Sequence, residues 1–220
     1  MKKTFVCLAN SKKYGERCIA GVEISNYDGA QYSVVSSNSE PKWIRPVSSR
    51  EHGEVSTELV GKVRLLDIIE FEVSSECARG YQSENVFFDE SSLKVIGRLD
   101  LVSRNVAQFQ NTGTTLLFGN RGKAVHVDMI DQITSSLILI KPDAVQFHEV
   151  TYPNGKHQLR CKFHFGGNEY DLPVTDIDFC ERFDKNPSGA NKFSDHYFTI
   201  SLGVEYNEFH YKLIAAVFYF

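Results

Sequence analysis

The sequence predicts an all-β protein with one or two short helices, and three observations carry that prediction. The first hundred residues contain about seven short runs rich in strand formers with no convincing long helix, the pattern of a small barrel or sandwich. The second half repeats this style. In its clearest run, Gln158, Arg160, Lys162 and His164 alternate with Leu159, Cys161, Phe163 and Phe165, a period of two that belongs to a strand with one polar and one apolar face.

At 220 residues, 42% of them hydrophobic, the chain is long enough for one large or two small domains with real cores. The opening residues start like a signal peptide, but the apolar run stops at Asn10-Ser11-Lys12-Lys13, too short for the hydrophobic region of a leader. A strand of a cytoplasmic protein is expected there. No segment approaches the roughly 20 apolar residues of a membrane helix, so no membrane partner is expected. Five cysteines, odd in number and without a Cys-x-x-Cys pair, point to buried free thiols rather than disulfides or a zinc knuckle. The net charge of −4 conceals a gradient: residues 1–50 carry eight Lys/Arg against four Asp/Glu, whereas residues 51–100 carry five against eleven. A strongly basic DNA-coating protein is thereby disfavoured, while a local basic face near the N-terminus suits a polyanion.

Residues 4–9 and 18–24 read as two strands joined by a polar, basic loop over 10–17 that contains Lys12, Lys13 and Arg17. After the Asp28-Gly29 turn, residues 31–35 form a third strand candidate. Residues 43–47 form the next, and Pro46 predicts that this strand lies at an edge or end of its sheet. The polar stretch 48–61 is an irregular excursion, followed by a long strand over 64–73. A loop with Arg79-Gly80-Tyr81 separates it from two short strands at 85–88 and 93–96. Residues 98–110 carry apolar side chains at mixed helical spacings and predict a connecting helix, with a domain boundary between residues 105 and 106. Gly119-Asn120-Arg121-Gly122-Lys123 has the wrong glycine spacing for a phosphate-binding loop and lacks the following Ser/Thr, so a hairpin turn is expected. Strands follow at 137–140, 144–151 and 157–165, the last two joined by Pro153-Asn154-Gly155. After a strand at 169–172, Thr175 or Asp176 caps a short helix that turns Ile177, Phe179, Cys180 and Phe183 to the core and ends at Asn186-Pro187-Ser188-Gly189. Strands at 196–202 and 209–220 complete the second half.

Catalytic chemistry needs a nucleophile beside a base, a metal cluster or paired carboxylates. None stands at a diagnostic spacing, so neither enzyme activity, metal nor cofactor is expected; a clustering of His52, Glu54 and Asp67 is the arrangement that would signal one. The strongest binding feature is Lys42-Trp43-Ile44-Arg45-Pro46-Val47-Ser48, which holds the single tryptophan between two cations. A flat indole with a guanidinium suits a nucleobase and its phosphate. The competing structural reading makes Trp43 a core anchor and Arg45 its snorkelling neighbour. The basic face of residues 158–164 is likewise either a solvated sheet face or a positive strip beneath a nucleic-acid backbone.

Together, Cys7-Leu8-Ala9-Asn10-Ser11, Arg17-Cys18-Ile19-Ala20-Gly21, the Trp43 to Ser48 stretch, Leu66-Asp67-Ile68 and Tyr211-Lys212-Leu213-Ile214-Ala215-Ala216 resemble the dual OB-fold domain proteins of bacteria, in order and over nearly the whole chain. The resemblance implies two tandem OB-like small β-barrels, residues 1–105 and 106–220. It also implies a non-catalytic module that binds single-stranded DNA or RNA, or a nucleotide, in conflict and phage-defence systems, or alternatively a scaffold subunit that binds other subunits of such a system. On that expectation Trp43 is a stacking platform, Arg17, Lys42 and Arg45 contact phosphates or bases, Lys12 and Lys13 steer the ligand, and Arg160, Lys162 and Lys212 extend the track over the second domain.

Overall fold

The computed structural model describes residues 1–78, 80–187 and 192–220. The chain divides into two compact units, Met1–Phe109 and Gln110–Phe220.

In the first unit, β1 (Lys2–Lys13) runs into β2 (Glu16–Ser25) through a two-residue turn. Three very short strands follow, β3 (Ser33–Val34), β4 (Ser36–Ser37) and β5 (Glu40–Pro41), before β6 (Trp43–Val47). Helix α1 (Thr57–Val60) precedes β7 (Asp67–Glu76) and β8 (Asn85–Arg98), and α2 (Ser103–Ala107) ends the unit. Strand β1 pairs antiparallel with both β2 and β7, β7 with β8, and β2 with β6. A parallel pairing of β6 with β8 closes the ring through Arg45↔Asn85, Pro46↔Val86 and Val47↔Phe87. This order, with the seam between third and fifth strands and a helix between third and fourth, is that of an OB barrel. Its interior is aromatic and β-branched, with Phe71 meeting Phe5 and Phe88 edge-on at 5.7 and 5.8 Å.

Four local expectations change. The polar run 10–17 is not a loop: the β1–β2 ladder continues to Lys13↔Glu16, because buried Asn10 donates to the Val60 and Val63 carbonyls from within the strand. Strand β6 is internal rather than an edge. The Arg45 amide donates to the Glu84 carbonyl on the β8 side, so the Pro46 nitrogen faces the β2 side, beyond the last paired residue, Ile44. The runs 85–88 and 93–96 belong to one irregular strand, β8, whose register against β7 shifts three times. The connecting helix shrinks from 98–110 to α2. Arg79 of the preceding loop lies outside the described residues.

In the second unit, β9 (Ala124–His126) is flanked by 3-10 turns at Leu117–Gly119 and Val127–Gln132. Then come β10 (Leu137–Ile140), β11 (Asp143–Thr151), β12 (His157–Phe165) and β13 (Asn168–Pro173). Helix α3 (Ile177–Lys185) leads to β14 (His196–Tyr206) and β15 (Phe209–Tyr219). Strands β11, β12 and β13 form one antiparallel sheet, and β10, β14, β15 and β9 form another. The chain passes directly from β10 into β11, and a parallel bridge, Val174↔Ile214, joins the far sides of the two sheets. Taking β10–β11 as one bent first strand, the connectivity is again that of an OB barrel, with α3 between third and fourth strands. The alternation over 157–165 holds, with Leu159, Cys161, Phe163 and Phe165 inside. Asp176 caps α3 through the Phe179 amide and also accepts from the Val217 amide; Phe179 and Phe183 face the core. Asn186 is the C-cap, while Ser188 and Gly189 lie outside the described residues. Residues 119–123 do not turn a hairpin, since β9, which follows them, pairs with β15 instead. Among the described residues no helix is long and apolar enough to cross a membrane.

Candidate nucleic-acid interface

The β1–β2 ladder closes at Tyr14 and Gly15, whose φ angles of +48° and +86° both lie in the left-handed region. Positive φ at both central residues is what a tight two-residue hairpin needs, and Gly15 adopts it freely. The turn leaves Tyr14 59% exposed, its ring stacked on His52 at 3.9 Å and 22°. The 48–57 excursion is held beside the hairpin by reciprocal backbone bonds between Arg17 and Val55, at 3.1 and 2.9 Å. Glu16 strengthens the tie by accepting from the Thr57 amide and hydroxyl at 2.6 and 2.7 Å, bonds that hold its carboxyl below the usual carboxylate range.

Lys12 and Arg17 face each other across the ladder next to the Tyr14 turn, Lys13 is paired in register with Glu16, and Arg50 reaches Glu16 at 3.4 Å. Lys12 is exposed and Lys13 and Arg17 are half-buried; none of the three forms an ion pair among the described residues. Burial lowers the Lys13 ammonium, opposed by Cys18, aided by Arg45 and opposed again by Glu54. A stacked aromatic pair at the tip of a basic hairpin is able to hold a base by its face and a phosphate by its charge.

The remaining expected contacts are placed differently. Trp43 is 5% exposed and offers no open ring face; β6 is buried at every position, as is β2 from Ile19 to Ile24. Arg45 is buried with Glu84 at 3.0 Å and Asn85 at 3.3 Å, an internal ion pair whose partners compensate each other's desolvation. Lys42 is exposed but reaches Glu23 at 3.1 Å, which Lys3 also contacts. In the second unit, Arg160 binds the Asp171 carboxylate at 3.0 Å and its carbonyl at 2.6 Å. His164 lies 3.5 Å from Glu169, so the strip on β12 is largely matched by acids on β13. Lys162 is exposed and free of ion pairs among the described residues. Lys212 is fully buried, its ammonium donating to the Asn120 carbonyl, the Asn120 Oδ1 and the Gly122 carbonyl at 2.7 to 2.9 Å. It pins the 119–123 loop rather than facing a ligand.

Of the expected residues, the fold therefore gathers Lys12, Lys13 and Arg17 and withdraws Trp43, Arg45 and Lys212. It adds Tyr14, Arg50 and His52, for which the sequence signal is an aromatic residue beside the glycine of a basic hairpin. The suspected cluster of His52, Glu54 and Asp67 is dispersed in its bonding: Glu54 accepts from the His52 amide, while Asp67 accepts from Arg98 and the Arg64 amide.

A family model described as a dual OB-containing domain matches residues 3–217. No curated protein matches the sequence. Similar solved structures include a murine DNA-binding protein bound with double-stranded DNA, 8% identical over 100% of this chain and 96% of that one, with a TM-score of 0.37. Another is the tetrameric p202 HIN2, 9% identical over 100% of this chain and 92% of that one, with a TM-score of 0.31.

Proposed function

The chain belongs to the dual OB-containing domain family, and from that premise we propose that it is a non-catalytic nucleic-acid-binding module whose first barrel engages its ligand at the β1–β2 hairpin end. The observation that carries the proposal is the exposed Tyr14 ring on His52 amid Lys12, Lys13, Arg17 and Arg50. OB barrels take oligonucleotides on the face of strands two and three and on the loops between strands one and two and between four and five. Here the strand face is buried along β6 and most of β2, which leaves the loops, and of these the β1–β2 hairpin carries an exposed stacked aromatic beside basic residues. Bases would stack on Tyr14 while the cations contact phosphates, giving affinity with little sequence preference. The wider setting we propose is the one that the family resemblance implies: a cytoplasmic component of a bacterial defence system.

The test is a binding survey with single- and double-stranded DNA, RNA and free nucleotides at two salt concentrations. Tyr14→Ala is expected to weaken single-strand binding by about 1–3 kcal/mol. Exchanging Lys12 and Lys13 for Gln should flatten the salt dependence by about one power of salt concentration for each lost phosphate contact. Binding indifferent to all three changes sinks the hairpin site. No retention on any nucleic acid, with a protein partner that co-purifies regardless of salt, returns the function to a scaffold role built on the acidic 51–100 region.

A further inference from the structure

Helix α3 and the end of β15 line an open cavity of about 530 Å³ in the second unit, well within the roughly 300–1,000 Å³ of small-ligand clefts. Its walls are aromatic: Phe179 and Phe183 from the helix, Tyr219 from β15, and Phe193 from the segment before β14. Phe193 is 40% exposed, and its ring packs against that of Tyr219 at 4.4 Å and 47°, leaving its other face open. Phe179 meets Tyr219 edge-on at 5.8 Å and closes the floor.

Charge at the rim is of one sign. Arg182 and Lys192 both line the cavity, and among the described residues no lining residue is acidic, Asp176 and Asp178 acting on Arg182 from outside the lining. Arg182 donates from Nη1 to the Tyr219 hydroxyl at 3.0 Å, which fixes the guanidinium against the aromatic wall with its other N–H groups unspent on carboxylates. Neither cation forms an ion pair among the described residues. The acids of α3, Asp178, Glu181 and Asp184, lie outside the lining, and Asp195 is taken by Lys141 at 2.8 Å.

Aromatic walls with a guanidinium and an ammonium in the same lining fit a planar ring that carries an anion. We propose that this cavity is a second binding site, which takes a phosphorylated nucleobase: a nucleoside monophosphate, free or as the phosphorylated end of a strand. The base stacks on the exposed face of Phe193, which Tyr219 backs from the other side, and the phosphate is held by Arg182 and Lys192. The site stands independently of the hairpin, being built from different residues of the other unit.

The experiment is calorimetric titration of the whole chain with adenosine monophosphate, adenosine, inorganic phosphate and a 5′-phosphorylated trinucleotide. The monophosphate should bind at least about tenfold more tightly than either adenosine or phosphate alone, since each supplies half of the contacts. Phe193→Ala and Arg182→Gln should each cost about tenfold. Phe193 is exposed, so its variant is expected to keep the wild-type melting curve; if Arg182→Gln loses the fold, Lys192→Gln carries the charge test. Binding of the trinucleotide alone, with the same dependence on these residues, identifies the strand end as the source and supports the site. No binding of either at about 1 mM, or binding that survives both substitutions, overturns it. The hairpin has its own variants and its own salt-dependent readout, so failure of one site is distinguishable from failure of the other.

Discussion

Lys212 lies on the inner side of β15, between Tyr211 and Leu213, which are half-buried on the other face. Its ammonium meets three oxygen acceptors and sits 5.3 Å from the centre of the Tyr170 ring, so the charge is compensated without a carboxylate. Burial nevertheless lowers it from 10.5 to about 7. An unfolded chain therefore takes up this proton at a higher pH than the folded one. The stability contributed is present above pH 10.5 and is lost as the pH falls toward 7. Urea melts of the wild type should gain about 1–2 kcal/mol from this group between about pH 7 and 8.5, a gain missing from Lys212→Met. Parallel pH profiles for the two proteins would exclude that role. The same side chain shows what a sequence conceals: a lysine in an apolar strand looks like a surface contact until its acceptors, Asn120 and Gly122, are brought to it from a distant loop.

At the scale of elements, the alternation of β12, the apolar runs of β10 and β15 and the capped helix α3 were legible because each is specified by local pattern. Strand β6 was legible as a strand but not in its burial, since both faces are covered and no alternation tells which way Trp43 points. The full length of the β1–β2 hairpin hid for a related reason, its polar Asn10 being satisfied by carbonyls from residues 60 and 63. Gly21 marks how tightly this hairpin is packed. A Cβ there would lie 1.8 Å from the Val6 carbonyl oxygen and 2.7 Å from Phe5 Cδ2, a clash with backbone that no rotamer relieves. Gly21→Ala should accordingly prevent closure of the first barrel. Trp43 is a built-in reporter, paired to Val22 beside the site of substitution, and its emission should shift to that of the unfolded chain. Wild-type emission and melting in Gly21→Ala would contradict this account. The candidate site was half legible: the cations stand together in the sequence, whereas the Tyr14–His52 stack depends on a long-range tie through Arg17 and Val55.

On the scale of the whole molecule, two units repeat one connectivity but close it differently. The first seam is a parallel ladder of three residue pairs, whereas the second is the bridge Val174↔Ile214, with the Thr175 amide donating to Ile214 at 2.8 Å. The Arg45 amide in the first seam makes a bond of the same length, so bond geometry alone predicts equal behaviour. Neighbouring rungs do not: the first seam opens as a ladder, whereas the Thr175 amide is backed only by its own hydroxyl on the same carbonyl and by the Asp176 carboxylate on the Val217 amide. In hydrogen–deuterium exchange, Thr175 should therefore lose protection well before Arg45, and equal protection would show the second seam to be braced from elsewhere. Thr175 directly precedes Asp176, so each opening of that rung also loosens the carboxylate that caps α3, and the helix is expected to fray from its first turn whenever the second barrel breathes.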